Sequence, residues 1–274
     1  MKKIAVTGAT GLVGSRIIEL LNTDFAFTPL NHTDVDITDA ESVARRFDSL
    51  DADMVLHLAG YTHVDGAETE RAIAKKINVD GTRHLFEASQ KKALPFIYIS
   101  TDFVFDGTKP PYHEDSVPHP IGYYGQTKFE GEQVVKDHAM IVRIAYPYRA
   151  HYDAKKDFMR TIRDLIKQGK TVAGITDSMF TPTLIDDIAF GLKHLMNNFS
   201  PEIYHLVGAQ SLSPHDAFVA IARAFGLDQS LIQKTTFDEY FKGKAKRPQY
   251  SEAVSKKNTF YTMHGFEDGL KKCV

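Results

Sequence analysis

A chain of 274 residues, 43% hydrophobic and 25% charged, has the balance of a globular protein and the length to bury a sizeable core. A net charge of −2 gives no bulk attraction for nucleic acid or an anionic membrane, and no apolar run of about 18 residues is present to span a bilayer. The single cysteine, Cys273, excludes an intrachain disulfide and fits a reducing compartment, so a cytoplasmic protein is expected. Met1-Lys2-Lys3 is followed by apolar residues, but Gly8, Gly11 and Gly14 break the run before a signal peptide could form.

Lys3 to Thr7 is a short apolar run suited to a buried parallel strand. Gly8-Ala9-Thr10-Gly11-Leu12-Val13-Gly14 follows, and a helical pattern runs from Ser15 to Leu21. A strand, a glycine turn and a helix make a dinucleotide-binding unit. The glycines let the backbone approach a pyrophosphate, and the helix N-terminus offers amide donors. The spacing is Gly-x-x-Gly-x-x-Gly rather than the usual Gly-x-Gly-x-x-Gly. A tight turn without ligand is the alternative.

Ala26 to Leu30 is the expected second strand. An acid after it would hold ribose hydroxyls and select NAD, but the chain reads Asn31-His32-Thr33. The arginine that would welcome a 2′-phosphate is absent as well, so NADP(H) is favoured over NAD(H) only by a narrow margin. His32 is positioned either to face a phosphate or to be solvated. Asp36, before Ile37, is either an adenine contact or a turn residue. Thr38 or Asp39 caps a helix from Ala40 to Phe47.

Asp53 to Leu58 is a buried strand ending in Ala59-Gly60, where a backbone can pass close to a cofactor. The loop from Tyr61 through Thr62 and Val64 to Glu68 lies at the end of that strand, where such sheets bind ligands. Arg71 to Lys91 reads as one long helix, in which Asn78 ties helix to strand backbone.

Phe96 to Ile99 is the strand leading to Ser100-Thr101-Asp102-Phe103, and prolines make the next stretch irregular. Tyr124 and Lys128 stand four apart, on one face if the segment is helical. A cation beside a phenol lowers its pKa, which suits a Tyr acting as an acid. Tyr152/Lys156 and Tyr240/Lys244 share this spacing, but neither follows a strand ending in paired hydroxyls.

Met140 to Ala145 is a further strand, closed by Tyr146-Pro147-Tyr148. Regular strand–helix alternation predicts an α/β fold: a Rossmann-type doubly wound parallel sheet with a smaller C-terminal substrate lobe. The dinucleotide-binding domain is expected over 1–148, with 183–208 returning to it, and the substrate lobe over 149–274. Lys155 to Gln168 is expected as an amphipathic helix, and Ser213-Pro214 opens another. The basic stretch Lys244 to Ser251, with Arg247, is either a clamp for an anionic substrate or a solvated loop.

GATGLVG, DITD, HLAGYTHVDGAE, NVDGT, ISTDFVFDG with PYHED, YYGQTKFEGE, TPTLIDDIA, YHLVG and RPQYS are spread over nearly the whole chain. Together they resemble the extended short-chain dehydrogenase/reductase superfamily and, within it, the dTDP-4-dehydrorhamnose reductase family. The resemblance implies nicotinamide-dependent reduction of the 4-keto group of a nucleotide-linked sugar, and no residue is singled out as a metal ligand. It implies a catalytic set of Thr101, Tyr124 and Lys128. Gly8, Gly11, Leu12, Val13, Gly14, His32, Asp36, Ile37, Leu58, Ala59, Gly60, Thr62, Tyr124 and Lys128 would hold the cofactor. Val64, Asp102, Phe103, Tyr146 and Arg247 would face the substrate.

Phe103 stands where rhamnose enzymes of this family commonly have tyrosine, and Tyr146 where they commonly have tryptophan. Similarity also extends to a regulatory subunit of methionine adenosyltransferase, which binds dinucleotide and serves as a partner. An epimerase or dehydratase of the superfamily is a third reading, and a dehydratase commonly needs an acid where this chain has Phe103. The expected partner is a small molecule, most simply a nucleotide sugar. A homodimer is compatible with it.

Overall fold

Alternation of apolar side chains along each strand sends them to two different layers, and that arithmetic builds the molecule. A computed structural model describes all residues, Met1–Val274. The first part runs β1 (Lys2–Thr7), α1 (Leu12–Leu21), β2 (Phe25–Leu30), α2 (Ala40–Asp48), β3 (Met54–His57), α3 (Val64–Thr69), α4 (Arg71–Lys75), α5 (Thr82–Lys91), β4 (Phe96–Thr101), α6 (Tyr123–Val135) and β5 (Met140–Ile144). The remainder is β6 (Pro147–Tyr148), α7 (Phe158–Lys167), β7 (Val172–Ile175), β8 (Thr183–Leu184), α8 (Ile185–Asn197), β9 (Ile203–His205), α9 (Pro214–Ala224), β10 (Ile232–Thr235), α10 (Phe237–Phe241) and α11 (Phe266–Lys271).

Six strands form one parallel sheet in the order β2-β1-β3-β4-β5-β9. Ile4 and Val6 point to one face with Leu56, Ile97, Val142 and the apolar side of α8. Ala5, Val55, Tyr98 and Ile141 point to the other, against α2 and α5. Strands buried on both faces read as continuous apolar runs, as the runs at β1, β3, β4 and β5 do. The strand order reverses between β1 and β3. That switch point opens a crevice at the carboxyl ends of the strands.

A second apolar cluster joins Tyr148, Met159, Phe180, Phe218, Ile221 and Phe266 beside the sheet. β7 pairs with β10 there, and β6 with β8. β9 is the edge strand of the main sheet, paired to β5 through Ile141↔Ile203 and Arg143↔His205. Two arginines tie the C-terminal half to α1. Arg149 donates to Ser15 Oγ at 3.0 Å and Glu19 at 2.7 Å, and Arg16 holds Asp186 in a bidentate pair through Nε and Nη2, each at 2.7 Å.

Two expected helices differ. The stretch from Arg71 to Lys91 is not uniform: a π turn over Lys76–Gly81 separates α4 from α5. The turn presents Asn78, 1% exposed, to the loop after β3. Asn78 Oδ1 accepts from Tyr61 N at 2.8 Å, and its Nδ2 donates to Tyr61 O at 3.1 Å and Thr127 Oγ1 at 2.9 Å. π turns recur where a side chain must be aimed at a site. The helix expected from Lys155 begins at Phe158, because Asp157 caps it by accepting from Arg160 N.

Candidate active site

The turn after β1 has the form a phosphate-binding loop requires. Gly8 has φ +68°, and a Cβ there would sit 2.8 Å from Ala59 N, so the residue must lack one. Gly11 N donates to Gly8 O at 2.9 Å, and α1 starts at Leu12 with no side-chain cap on its first amides. Those amides are the free donors of a helix N-terminus. Leu12 and Val13 pack down on the sheet core. His57, fully buried, bridges Thr7 Oγ1 at 2.6 Å and Thr82 Oγ1 at 3.0 Å. Burial lowers its pKa to about 3, so it is neutral. Thr7 Oγ1 in turn accepts from Ala59 N at 3.2 Å, which fixes the Leu58-Ala59-Gly60 edge beside the glycine turn.

His32 and Thr62 are exposed at the rim. Asp36 Oδ1 accepts from Thr38 N at 2.9 Å and Thr38 Oγ1 at 2.8 Å. The turn role expected for Asp36 is therefore met by one oxygen, and those bonds lower its pKa first, with the Lys76 ammonium adding to them. Ile37 is buried, and its carbonyl faces His84 Nδ1 at 3.0 Å.

α6 brings the expected phenol and ammonium to this crevice. Tyr124, Lys128 and Glu132 form a stripe on its buried face. The helix lies close to β4 and the π turn because Gly131 has no side chain: a Cβ there would stand 2.8 Å from Asn78 O. Glu132 and Arg143 form a bidentate pair at 2.8 and 2.7 Å, 1% and 2% exposed, locking α6 to β5. Lys128 Nζ donates to Ile99 O at 2.8 Å and lies 4.1 Å over the Tyr98 ring. It is also 3.9 Å from where a Gly60 Cβ would be. Thr101 Oγ1 donates to Asp102 Oδ1 at 3.0 Å.

The electrostatics correct one expectation. Lys128 does not depress the Tyr124 pKa in this geometry. Burial pushes the phenol up to about 12, and the Thr101 hydroxyl works against it. Burial likewise lowers Lys128 to about 7, opposed by Glu132, and raises Asp102 to about 7.

The expected substrate-side residues surround Tyr124 unequally. Val64 and Phe103 pack in its apolar cluster, with the Phe103 ring 5.6 Å from the Tyr124 ring. Tyr146 lies 6.0 Å beyond Phe103 and has φ +39°, a conformation a bulky residue rarely adopts. Arg247 is not a free anion clamp. Its guanidinium pairs with Asp65 and lies 4.1 Å over the Phe241 ring. Tyr146 and Arg247 nevertheless line one cavity of about 140 Å³ with Phe158, Phe180, Tyr240 and Ser251.

Several residues at the crevice carried no motif. Tyr152 donates to Thr10 O in the glycine turn at 2.5 Å, and Lys155 donates to Thr62 Oγ1 at 3.1 Å. The segment after β6 thus bridges the crevice, and the decoy pair splits, with Lys156 turned to Asp164 at 2.6 Å. Ser251 sits in RPQYS, four residues after Arg247.

A parallel switch-point sheet, a glycine turn and a Thr–Tyr–Lys grouping at one crevice define the short-chain dehydrogenase/reductase class. The sequence matches the RmlD substrate binding domain family over residues 1–274, and the chain belongs to that family. A dTDP-4-dehydrorhamnose reductase of Burkholderia thailandensis is 33% identical over 238 residues, 81% of this chain and 79% of the relative. A probable low-salt glycan biosynthesis reductase, Agl14, of Haloferax volcanii is 32% identical over 247 residues, 84% of this chain and 82% of its own. The crystal structure of dTDP-4-dehydrorhamnose reductase from Bacillus anthracis in complex with NADP superposes with a TM-score of 0.91 at 30% identity, covering 98% of both chains.

Proposed function

We propose that the protein is an NADP(H)-dependent reductase of a 4-keto sugar nucleotide, similar to dTDP-4-dehydrorhamnose reductase. The observation that carries this reading is the grouping of the Thr101 hydroxyl with the Tyr124 phenol, one helical turn from Lys128, whose ammonium lies beside Gly60, one strand from the glycine turn. The residues present fit a nicotinamide dinucleotide. Gly8 leaves room that a Cβ would fill, the amides opening α1 lack side-chain caps, and the Lys128 ammonium lies beside Gly60.

When bound, the nicotinamide supplies the hydride to the carbonyl carbon. Tyr124 gives its phenolic proton to the oxygen that becomes the alcohol, and Thr101 hydrogen-bonds the same oxygen. Lys128 holds the cofactor ribose, and its positive charge offsets the tyrosinate left behind. Val64, Asp102, Phe103 and Tyr146 face the sugar. NADP(H) is preferred because Asn31 follows β2 where an acid would select NAD, and His32 and Lys76 stand near Asp36 as partners for a 2′-phosphate. No helix is long and apolar enough to cross a membrane, and the one cysteine is buried and unpaired. We place the enzyme in the cytoplasm.

The test is NADPH and NADH oxidation by purified protein, with a dTDP-4-keto-6-deoxy sugar generated in situ. Turnover should favour NADPH. Tyr124→Phe should lower kcat by ~10³-fold or more while cofactor affinity stays within a few-fold. Near-normal turnover in that variant would overturn the assignment. Tight cofactor binding with no reduction, together with capture of a synthetase, would point to the regulatory reading.

A further inference from the structure

The stretch Arg149–Asp157, between β6 and α7, is folded around one buried guanidinium. Arg160, 3% exposed, spends every edge on it. Its Nε donates to Asp157 Oδ2 at 2.9 Å, its Nη2 to Lys155 O at 2.7 Å and its Nη1 to Tyr152 O. Asp157 Oδ2 also accepts from Arg149 N at 3.2 Å, which closes the stretch on itself. Arg149 in turn fastens it to Ser15 and Glu19 of α1. A charge taken out of water keeps its place only while its hydrogen bonds are made, so the backbone at Tyr152 and Lys155 is firmly held.

The two side chains on that backbone meet opposite walls of the crevice. Tyr152 donates to Thr10 O, in the glycine turn after β1, at 2.5 Å. Lys155 Nζ donates to Thr62 Oγ1, two residues beyond Gly60 in the loop after β3, at 3.1 Å. β1 and β3 are paired neighbours, so the strap lies across the ends of the strands where such sheets take a pyrophosphate. Lys155 is the cation of this strap that has no anion. Lys156 beside it is paired with Asp164 at 2.6 Å, and Arg149 with Glu19 at 2.7 Å, whereas Lys155 has only the neutral Thr62 hydroxyl. Neither wall supplies an acid: none stands in Gly8–Gly14 or in Leu58–Val64. An ammonium held over backbone amide donors, with no carboxylate to satisfy it, is complementary to a phosphate.

We propose that Lys155 is a ligand of the cofactor pyrophosphate, brought over the crevice by a strap that Tyr152 ties to the glycine turn. With the dinucleotide bound, the Lys155 ammonium exchanges the Thr62 hydroxyl for a phosphate oxygen. This rests on the dinucleotide part of the reading above and not on the identity of the sugar. The glycine turn contributes backbone amides and no charge, so Lys155 supplies from the C-terminal half the charge that the turn lacks. The 2′-phosphate belongs elsewhere, beyond β2 at the outer edge of the sheet, where Asn31 and His32 stand. Arg160 is a positioning residue: it touches the strap carbonyls and not the cofactor.

The experiment is equilibrium titration and stopped-flow displacement of NADPH and of NADH, followed by nicotinamide fluorescence, in wild type, Lys155→Met, Lys155→Arg, Lys156→Met and Tyr152→Phe. Lys155→Met should raise Kd by about 10-fold or more for both dinucleotides, mainly through faster release, because a charge-assisted bond to phosphate is lost. Lys155→Arg should recover most of that loss. Lys156→Met removes the same charge one residue away and should change Kd by less than about 2-fold, as expected for an exposed pair. Tyr152→Phe should speed release by about 3-fold, the worth of one neutral hydrogen bond. A Lys155→Met variant that binds like wild type, or equal losses in Lys155→Met and Lys156→Met, overturns the proposal. A loss confined to NADPH overturns it too, because it would put the ammonium at the 2′-phosphate. If wild type binds dinucleotide but reduces no keto sugar nucleotide, the reductase reading fails and the same titrations still decide the inference. If wild type binds neither dinucleotide, both fall.

Discussion

Glu132→Gln tests what holds the candidate catalytic helix in place. The substitution keeps the shape of the side chain and removes its charge. Arg143 then stays buried, 2% exposed, facing one amide oxygen and one amide NH2 donor where it had two carboxylate oxygens, with the Phe105 ring 5.1 Å away. One guanidinium nitrogen, Nη1, already lacks a partner, so no spare hydrogen bond absorbs the loss. Breaking a buried pair from one side costs about 3–5 kcal/mol. At roughly 2–3 °C per kcal/mol for a chain of this size, Tm should fall by about 6–15 °C. Thermal unfolding followed by far-ultraviolet circular dichroism reads the shift. A double variant, Glu132→Met with Arg143→Met, should recover most of it, since an apolar pair of similar volume leaves no charge behind. A Glu132→Gln variant within ~1 kcal/mol of wild type, or a double variant no better than the single, would refute the reasoning. Glu132 also holds the Lys128 pKa up, so Glu132→Gln should drive Lys128 further toward its neutral form and move the alkaline limb of the kcat/KM profile to lower pH.

Other expectations follow from the same groups. Gly8→Ala places a side chain at φ +68° and 2.8 Å from Ala59 N. It should weaken cofactor binding by about 10-fold or more in a fluorescence titration, and unchanged affinity would count against the glycine turn as the phosphate site. Asp102 releases its proton near 3.8 when unfolded and near 7 when folded. Between those values the unfolded chain gives up a proton the folded chain keeps, so this group makes stability fall as pH rises from about 4 to about 7. Asp102→Asn should therefore gain stability relative to wild type above pH 7 and match it below pH 4, in urea unfolding at each pH. Lys128 has the opposite slope, its folded pKa of about 7 lying below the ordinary 10.5. Its cost is full below pH 7 and fades toward pH 10.5, so Lys128→Met should stabilise most at neutral pH and below.

What the sequence made legible was local. The glycine turn lies within residues 8–14, between a strand and a helix that each announce themselves, and its role depends on backbone alone. Tyr124 and Lys128 share a helix face by spacing alone. The π turn had no such signal, because Asn78 in a helical pattern looks the same whether the turn closes tightly or loosely. Arg247 read as a free cation because its partner Asp65 lies 182 residues away in the chain.

The Tyr124 correction shows why burial matters as much as neighbours. A pKa lowered by Lys128 would suit a phenolate, which is what oxidation of an alcohol requires. Reduction requires the phenol to arrive with its proton, and burial that pushes Tyr124 up to about 12 secures that form. The alkoxide produced by hydride addition is a far stronger base than a phenolate, so transfer from Tyr124 still runs downhill. The cost falls after transfer, when a tyrosinate stands in a buried site. Lys128 offsets that cost only while it is charged, and its pKa of about 7 makes the charge sensitive to what fills the crevice. Phosphates near Gly8 and ribose oxygens near Gly60 would favour the ammonium, so burial lowers the charge on Lys128 near neutral pH and the cofactor restores it.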